Sequence, residues 1–540
     1  MYVTTGTHAN RFLSHRIITD PFRSFCKMAW NGLSLPAHPV DVAASTWLCF
    51  IFLLVCLYTT TRITYLVRFH PASKFPGPRL AAVSNVWYAY HWIRGRWPWA
   101  VEQALREYGD IVRIAPNELA FMTPQSVIDI HGSAVKHQEV FVKTEFVDLG
   151  SGDGGIAWER DPHKHREIAK KLSPAFSLKS IHAKEIKFYK YIDIFIDKIK
   201  ANGGSPAGIE ISKWTTWMAM DLSADVVYSR KTGHMNNEKS SDLLDSLLDL
   251  SFFATINQVS RRFPWLRTFR YLFIPPRVLR TLPKALKAND HEIQARIGRQ
   301  GMDNIDYFEH IFPPDAPPPD SKTAKHLGQL AFQLLIAGFE PTSTRFYTML
   351  FILSREREAY NTLVREVRSA FPSYDDIELT ALSNMSYLNA CIWETFRLFN
   401  SIISGHPRLS PGAMVDGVYI PKGVVCQICP FATCRSPRYF YDPLRYCPQR
   451  WLPREHPGYD QKFANDNLKS FFPFGYGPRQ CIGRESAWPQ MRLFLAKILW
   501  TFDLEAVDGQ DLVFDRDFSM YAMWNKPKLR IRFVPVPSRR

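Results

Sequence analysis

Phe474-Gly475-Tyr476-Gly477-Pro478-Arg479-Gln480-Cys481-Ile482-Gly483 is the most constrained stretch of this 540-residue chain. Gly475, Gly477 and Pro478 dictate a tight hairpin-like loop that neither a helix nor a strand accommodates. Cys481 closes the loop just ahead of a helix predicted over residues 484–502. A helix N-terminus and the neighbouring Arg479 both favour a thiolate over a thiol. Gly483 leaves room for a flat body to approach the backbone. A thiolate held this way suits a soft metal or a nucleophile. A buried structural cysteine beside a glycine turn accounts for a lone Cys, but seven constrained positions in ten residues carry more information.

Three other segments, all earlier in the chain, stand out beside this loop. Glu394-Thr395-Phe396-Arg397 places an acid and a base one helical turn apart on one face, which alone is an ordinary solvated pair. Pro448-Gln449-Arg450-Trp451 adds a second arginine before an aromatic ring. An apolar helix of about 25 residues, predicted to start near His326, carries Ala337-Gly338-Phe339-Glu340-Pro341-Thr342.

The loop reads F-x-x-G-x-R-x-C-x-G and resembles the haem-binding loop of the cytochromes P-450, the haem-thiolate monooxygenases. The E-x-x-R and P-x-R-[FW] segments match the same family in the same order. The resemblance covers residues 74–534, and the wording of residues 74–82, 173–177 and 435–440 is most similar to fungal members of secondary metabolism. It implies a mainly α fold with small β-sheets and a haem b whose iron takes its axial thiolate from Cys481. Arg479 and Arg408 match positions that hold the haem propionates. His165 fits the ring position of a further propionate contact, but the matching position four residues on is Ala169, and Lys170 is expected to substitute. Phe474 and Gly483 belong to the same cofactor loop. Glu394, Arg397 and Arg450 are expected to form a buried structural network. The segment at Ala337 resembles the oxygen-activation motif, in which an acid and an adjacent alcohol relay protons. Here the acid is Glu340, Pro341 takes the alcohol position, and Thr342 lies one residue further, about 100° round the helix. Pro341 has no N–H, so a kink and an opened groove are expected there. Glu485 to Trp500 resembles the helix behind the haem, with Pro489 and Gln490 departing from its usual wording.

The activity so implied is insertion of one oxygen atom from O2 into a lipophilic small molecule, a terpenoid or polyketide, with electrons from an NADPH-dependent reductase. A haem-thiolate dehydratase or isomerase that needs no external electrons, and a haem-binding protein without turnover, are the alternatives. Pro341 keeps the first of them open.

The remainder of the chain concerns placement. Residues 42–58 run without a charge, and with residues 59–61 a helix there approaches bilayer thickness. Six Lys/Arg and no acid follow between Arg62 and Trp99, which puts the bulk of the chain on the cytosolic side. The expected organisation is a leader (residues 1–41), a transmembrane anchor (42–68), a proline-rich hinge (69–79) and the catalytic domain (80–540), held as a single-pass protein in the endoplasmic reticulum membrane. Short strands are predicted over residues 111–115, 424–428 and 528–534, and a loop over residues 312–320. With 46% hydrophobic and 22% charged residues a packed core is assured, and global disorder is excluded. The net charge of +16 has no nucleic-acid motif beside it. Lys469, Arg479 and Arg484 are a candidate docking face for an acidic electron donor, alongside plain solvated basic surface. Nine cysteines are too few for a disulfide scaffold. Cys426-Gln427-Ile428-Cys429 lacks the second pair that a zinc site needs.

Overall fold

The computed structural model describes residues 39–132, 134–135, 138–145, 154–299, 306–312, 317, 319–400 and 406–537. The leader expected over residues 1–41 lies almost wholly outside them, as does part of the proline-rich stretch at 312–320. The chain divides into two units, residues 1–65 and 66–540.

Within the first unit, the helix Pro39–Thr64 has 26 residues and is about 39 Å long. Trp47, Leu48, Phe52 and Leu57 on it are all about two-thirds exposed. An apolar helix with no buried stripe has no protein core to face. The stretch Ala44–Phe69 is long and apolar enough to cross a bilayer.

The second unit is mainly helical, as expected, with small sheets. Its axis is the helix Ser321–Leu353, which starts where the Asp320 side chain caps the Thr323 N–H at 2.7 Å. This helix is longer than the 25 residues expected, because polar residues before His326 extend it. It packs along the helix Ile211–Tyr228, which is buried over nearly its whole length. Gly338 makes that approach possible: a Cβ there would lie 2.3 Å from Ser223 Oγ, which instead donates to the Leu335 carbonyl at 3.1 Å. The helix continues through Pro341, although Pro341 has no N–H to give the Ala337 carbonyl.

The helix Arg484–Thr501 lies against Leu178–Asn202, with Phe494 stacked 4.1 Å from Phe346 and 5.5 Å from Phe195. It ends one residue short of the expected boundary because Phe502 already begins a strand.

The largest sheet has five strands in the order Ile111–Ala115, Glu118–Phe121, Val425–Ile428, Arg408–Leu409 and Val142–Lys143. A three-stranded sheet joins Phe502–Ala506, Arg530–Pro535 and Ile209–Glu210. The three strands predicted from pattern are therefore present, while the two-residue strands carry too few residues to show alternation. The Pro76-Gly77-Pro78 turn is docked on the first strand. Arg113 N donates to Pro76 O at 2.7 Å, and a Cβ on Gly77 would meet Arg113 O at 2.3 Å.

Candidate haem-thiolate site

The cysteine loop is built by its glycines. Gly475 and Gly477 have φ of +76° and +77°, which side-chain-bearing residues rarely adopt. Gly477 also abuts the backbone of His131, where a Cβ would fall 2.0 Å from the carbonyl oxygen. Cys481 N closes the loop by donating to Phe474 O at 2.7 Å. The Phe474 ring sits 5.2 Å from Phe396 and 6.2 Å from Trp488, tying the loop to the helices on either side. Gly483 stands at the start of the following helix, with space for a Cβ 3.8 Å from Cys481 Sγ.

Burial pushes the Cys481 thiol above its ordinary value, and the Gly483 N–H pulls it partly back. Yet the residue is solvent-accessible. A side chain that is desolvated by its surroundings but not packed against them lines an internal cavity. His406 has the same combination: it is exposed, yet Lys143, burial, Arg408, His131 and Arg479 together hold its ring well below the ordinary histidine value. Ala337, exposed midway along the central helix between buried Leu335 and Phe339, fits a third wall of that kind.

Arg408 and Lys143 are direct cross-strand partners and both are buried. Like charges opposite one another on a sheet repel. His165, buried on the helix Pro162–Leu172, is pushed down to about 3 by burial, then by Arg479, Lys143 and Arg408. His131 is likewise pushed down to about 3 by burial, Arg408 and Lys143. Its Nε2 is buried without a hydrogen-bond partner among the described residues. Backbone carbonyls hold the cations in place: Lys143 Nζ donates to Ala157 O at 2.6 Å, Arg408 to Phe141 O at 3.4 Å, and Arg479 to Glu159 O and, at 3.3 Å, to Arg160 O. Gln333 of the central helix fixes the 154–157 segment, accepting from Ala157 N at 2.8 Å and donating to Gly154 O at 3.1 Å.

Three cations, Arg408, Lys143 and Arg479, thus converge beside three histidines whose rings burial and those cations hold well below their ordinary value. Such a cluster calls for a dianion, because buried charge of one sign is costly unless compensated. A thiol that stays protonated by itself becomes a thiolate when a metal cation binds it. A haem supplies both, as two propionates and an iron. The residues present therefore fit that group.

Several expectations are corrected here. Lys170 is exposed, and Lys143 joins the cation cluster instead. The Arg479 guanidinium turns toward Glu159, Arg160 and His165 rather than toward the thiol or an outer docking face. Arg484 pairs with Glu485 at 2.9 Å. The Glu340–Thr342 pairing does not form. Thr344 Oγ1 donates to Glu340 Oε1 at 3.1 Å, one turn along the same face, whereas buried Thr342 lies about 200° round the axis. The 340/344 spacing is readable in sequence, but Lys143, His131 and His406 carry no motif. Cys426 and Cys429 are buried free cysteines with thiols pushed up by burial, and among the described residues no cluster suited to a metal ion is found.

The Glu394 network is complete. Arg397 donates to Glu394 at 2.9 and 2.8 Å, and Arg450 at 3.1 Å. Cys447 N (2.9 Å) and Trp451 Nε1 (2.8 Å) complete its shell. Burial would raise the Glu394 carboxyl, but Arg397, Arg450 and the Cys447 N–H outweigh it and hold it below the ordinary value. Asp466, which pairs with Arg450, is a member that sequence reasoning missed.

The cytochrome P450 family profile matches residues 76–533. The chain is 45% identical over 501 residues to cytochrome P450 monooxygenase TwmD of Talaromyces wortmannii, covering 92% of this chain and 98% of that protein. It is 34% identical over 481 residues to cytochrome P450 monooxygenase poxC of Penicillium oxalicum, covering 89% and 93%. With cytochrome P450 monooxygenase btcC of Colletotrichum orbiculare the identity is 32% over 496 residues, covering 91% and 94%. The chain belongs to the cytochrome P450 family, whose cofactor is a haem iron with an axial cysteine thiolate.

Proposed function

We propose that this protein is a haem-dependent monooxygenase of secondary-metabolite biosynthesis. It takes electrons from an NADPH-dependent reductase and inserts one oxygen atom into a lipophilic small molecule of the terpenoid or polyketide kind. The apolar helix Pro39–Thr64 anchors it in the endoplasmic reticulum membrane with the catalytic body in the cytosol.

When bound, the haem supplies dioxygen activation, and the thiolate's electron donation favours O–O cleavage. Cys481 Sγ would ligate its iron. Arg408, Arg479, Lys143 and His165, with His131 and His406 behind them, hold the propionates. Phe474 and Gly483 shape the loop that seats the ring. Glu340 holds a proton for the reduction of dioxygen: burial raises its carboxyl above the ordinary value, against the pull of Lys526 and Thr344. Thr342, buried on the same helix, is the alternative hydroxyl for that proton. The observation that carries this assignment is the enclosed yet accessible thiol beside an interior cation cluster.

The test is the absorption spectrum of the reduced, CO-bound protein with and without Cys481. The wild type shows the red-shifted Soret band of thiolate ligation, and Cys481→Ala loses it. An intact thiolate-type band in that variant moves the ligand elsewhere. Incubation of reductase-containing membranes with terpenoid and polyketide candidates should give products gaining one oxygen atom from O2, dependent on NADPH. Product from a hydroperoxide without NADPH would instead indicate rearrangement or dehydration chemistry.

A further inference from the structure

Behind Glu340 lies a cavity of about 430 Å³ whose floor is Glu340, Ser343 and Lys526 and whose rim includes Lys213 and Leu248. The Lys213 side chain is 59% exposed, so the cavity opens to solvent on that side. Lys526 follows the short hairpin strand Trp524–Asn525 and reaches into this space. Its Nζ donates to Ser343 Oγ at 2.7 Å and to Thr344 Oγ1 at 3.4 Å. Thr344 Oγ1 in turn donates to Glu340 Oε1 at 3.1 Å. Ser343 Oγ also meets Thr216 Oγ1 at 3.4 Å, which is fixed by the Ser212 carbonyl at 2.7 Å.

We propose that Lys526 is a positioning residue of the oxygenation reaction, recharging Glu340 with protons from the solvent-open cavity through Thr344. This rests on the assignment of Glu340 as proton source. The step balances as one proton moved. An N–H bond of the Lys526 ammonium breaks as its proton passes to Thr344 Oγ1, and the Thr344 hydroxyl proton passes to Glu340 Oε1. Lys526, now neutral, is reprotonated from bulk solvent through the open cavity, so the net change is one solvent proton delivered to Glu340. The arrangement supplies a hydroxyl beside the acid despite Pro341, since Thr344 stands one helical turn on.

The electrostatics support the geometry. Burial brings the Lys526 ammonium down to about 8, with Glu340 pulling it back up, while burial raises the Glu340 carboxyl. Shifts in opposite directions bring donor and acceptor closer in proton affinity, which eases transfer. Among the described residues, the following charged and titratable groups surround Lys526 or its partner Glu340. The central helix presents Glu340, Arg345 and the Tyr347 ring, whose centroid is 5.9 Å from Nζ. Asp249 faces the cavity from the helix Asp242–Ser260, Lys213 from Ile211–Tyr228, and Tyr521 from the hairpin.

The experiment needs no identified substrate. The full-length holoenzyme, reconstituted with an NADPH-dependent reductase, is assayed for hydrogen peroxide released per NADPH oxidised. Lys526→Met should raise that ratio several-fold, with the reduced-CO spectrum unchanged. Lys526→Arg keeps the positive charge but cannot release a proton, so its ratio should stay high; in the wild type the ratio should climb as pH rises through about 8. A second readout is independent of turnover. Reductive methylation of the holoenzyme, followed by peptide mass spectrometry, should show Lys526 becoming reactive near pH 8. In Glu340→Gln, which removes the neighbouring negative charge, reactivity should begin at lower pH. Wild-type peroxide ratios in Lys526→Met, or a low ratio restored by Lys526→Arg, which would show that the charge alone suffices, overturn the proposal. If Glu340→Gln raises the peroxide ratio and Lys526→Met does not, Lys526 alone is excluded. If Glu340→Gln also leaves the ratio unchanged, the assignment of Glu340 itself fails.

Discussion

Arg397→Ala should cost more than any catalytic substitution in this protein, and the structure says why. All five guanidinium donors of Arg397 are used. Two go to Glu394, and three go to the carbonyls of Cys434 (2.6 Å), Pro443 (2.6 Å) and Arg445 (3.1 Å). The side chains of Glu394, Arg397 and Arg450 are fully buried, and Asp466 is nearly so. Glu394 and Asp466 balance Arg397 and Arg450, so the cluster is neutral. Truncation leaves it with a net negative charge and orphans three carbonyl oxygens. Breaking a buried pair in this way costs about 3–5 kcal/mol, a fall of roughly a hundredfold or more in the folded-to-unfolded ratio. The lost hydrogen bonds, at about 1 kcal/mol each, are consistent with that range.

The assay is the yield of haem-loaded protein per expressed chain, together with the thermal inactivation half-life, because a cofactor protein has no simple two-state midpoint. Little folded holoprotein should be recovered. Arg397→Ala combined with Glu394→Gln restores neutrality and should lose less than the two single variants together. The pH dependence has a fixed sign. In the wild type the Glu394 carboxyl is depressed, so its contribution is present above the ordinary carboxylate range and lost as pH falls through the depressed value. Without Arg397 the carboxyl accepts a proton at higher pH, so the gap between variant and wild type narrows on acidification. Normal amounts of haem-loaded Arg397→Ala enzyme with a wild-type half-life would refute the reasoning.

Lys143→Met should lower haem retention during gel filtration, whereas Lys170→Ala should not; equal retention in the two would remove Lys143 from the cation cluster. Deleting residues 1–65 should release at least part of the protein from carbonate-washed membranes, and unchanged retention would place the insertion element elsewhere. Pro341→Thr should alter the peroxide released per NADPH if the alcohol position matters. No change there, with Thr342→Ala equally silent, would assign proton delivery to the Glu340–Thr344 pair alone.

Local rules reached the parts of this protein that are local. The cysteine loop was legible because Gly475 and Gly477 must adopt positive φ and Cys481 follows within a few residues. The strand Ile111–Ala115 and the C-terminal strand showed apolar patterning, and the helix Arg484–Thr501 was announced by the glycine before it. The apolar run in Pro39–Thr64 needed only length and composition. What sequence spacing does not encode is which distant side chains meet. Lys143 faces Arg408 only because two-residue strands pair across an interval of 265 positions. Lys526 reaches Thr344 from 182 positions away, and Asp466 joins the Glu394 network through Arg450. Arg479 sits two residues from Cys481 in sequence, yet its guanidinium turns to the Glu159 and Arg160 carbonyls. Backbone conformation is set by a few neighbouring residues, so the chain announces it. The charge environment of a buried group is the sum over everything packed around it, and only the assembled fold performs that sum.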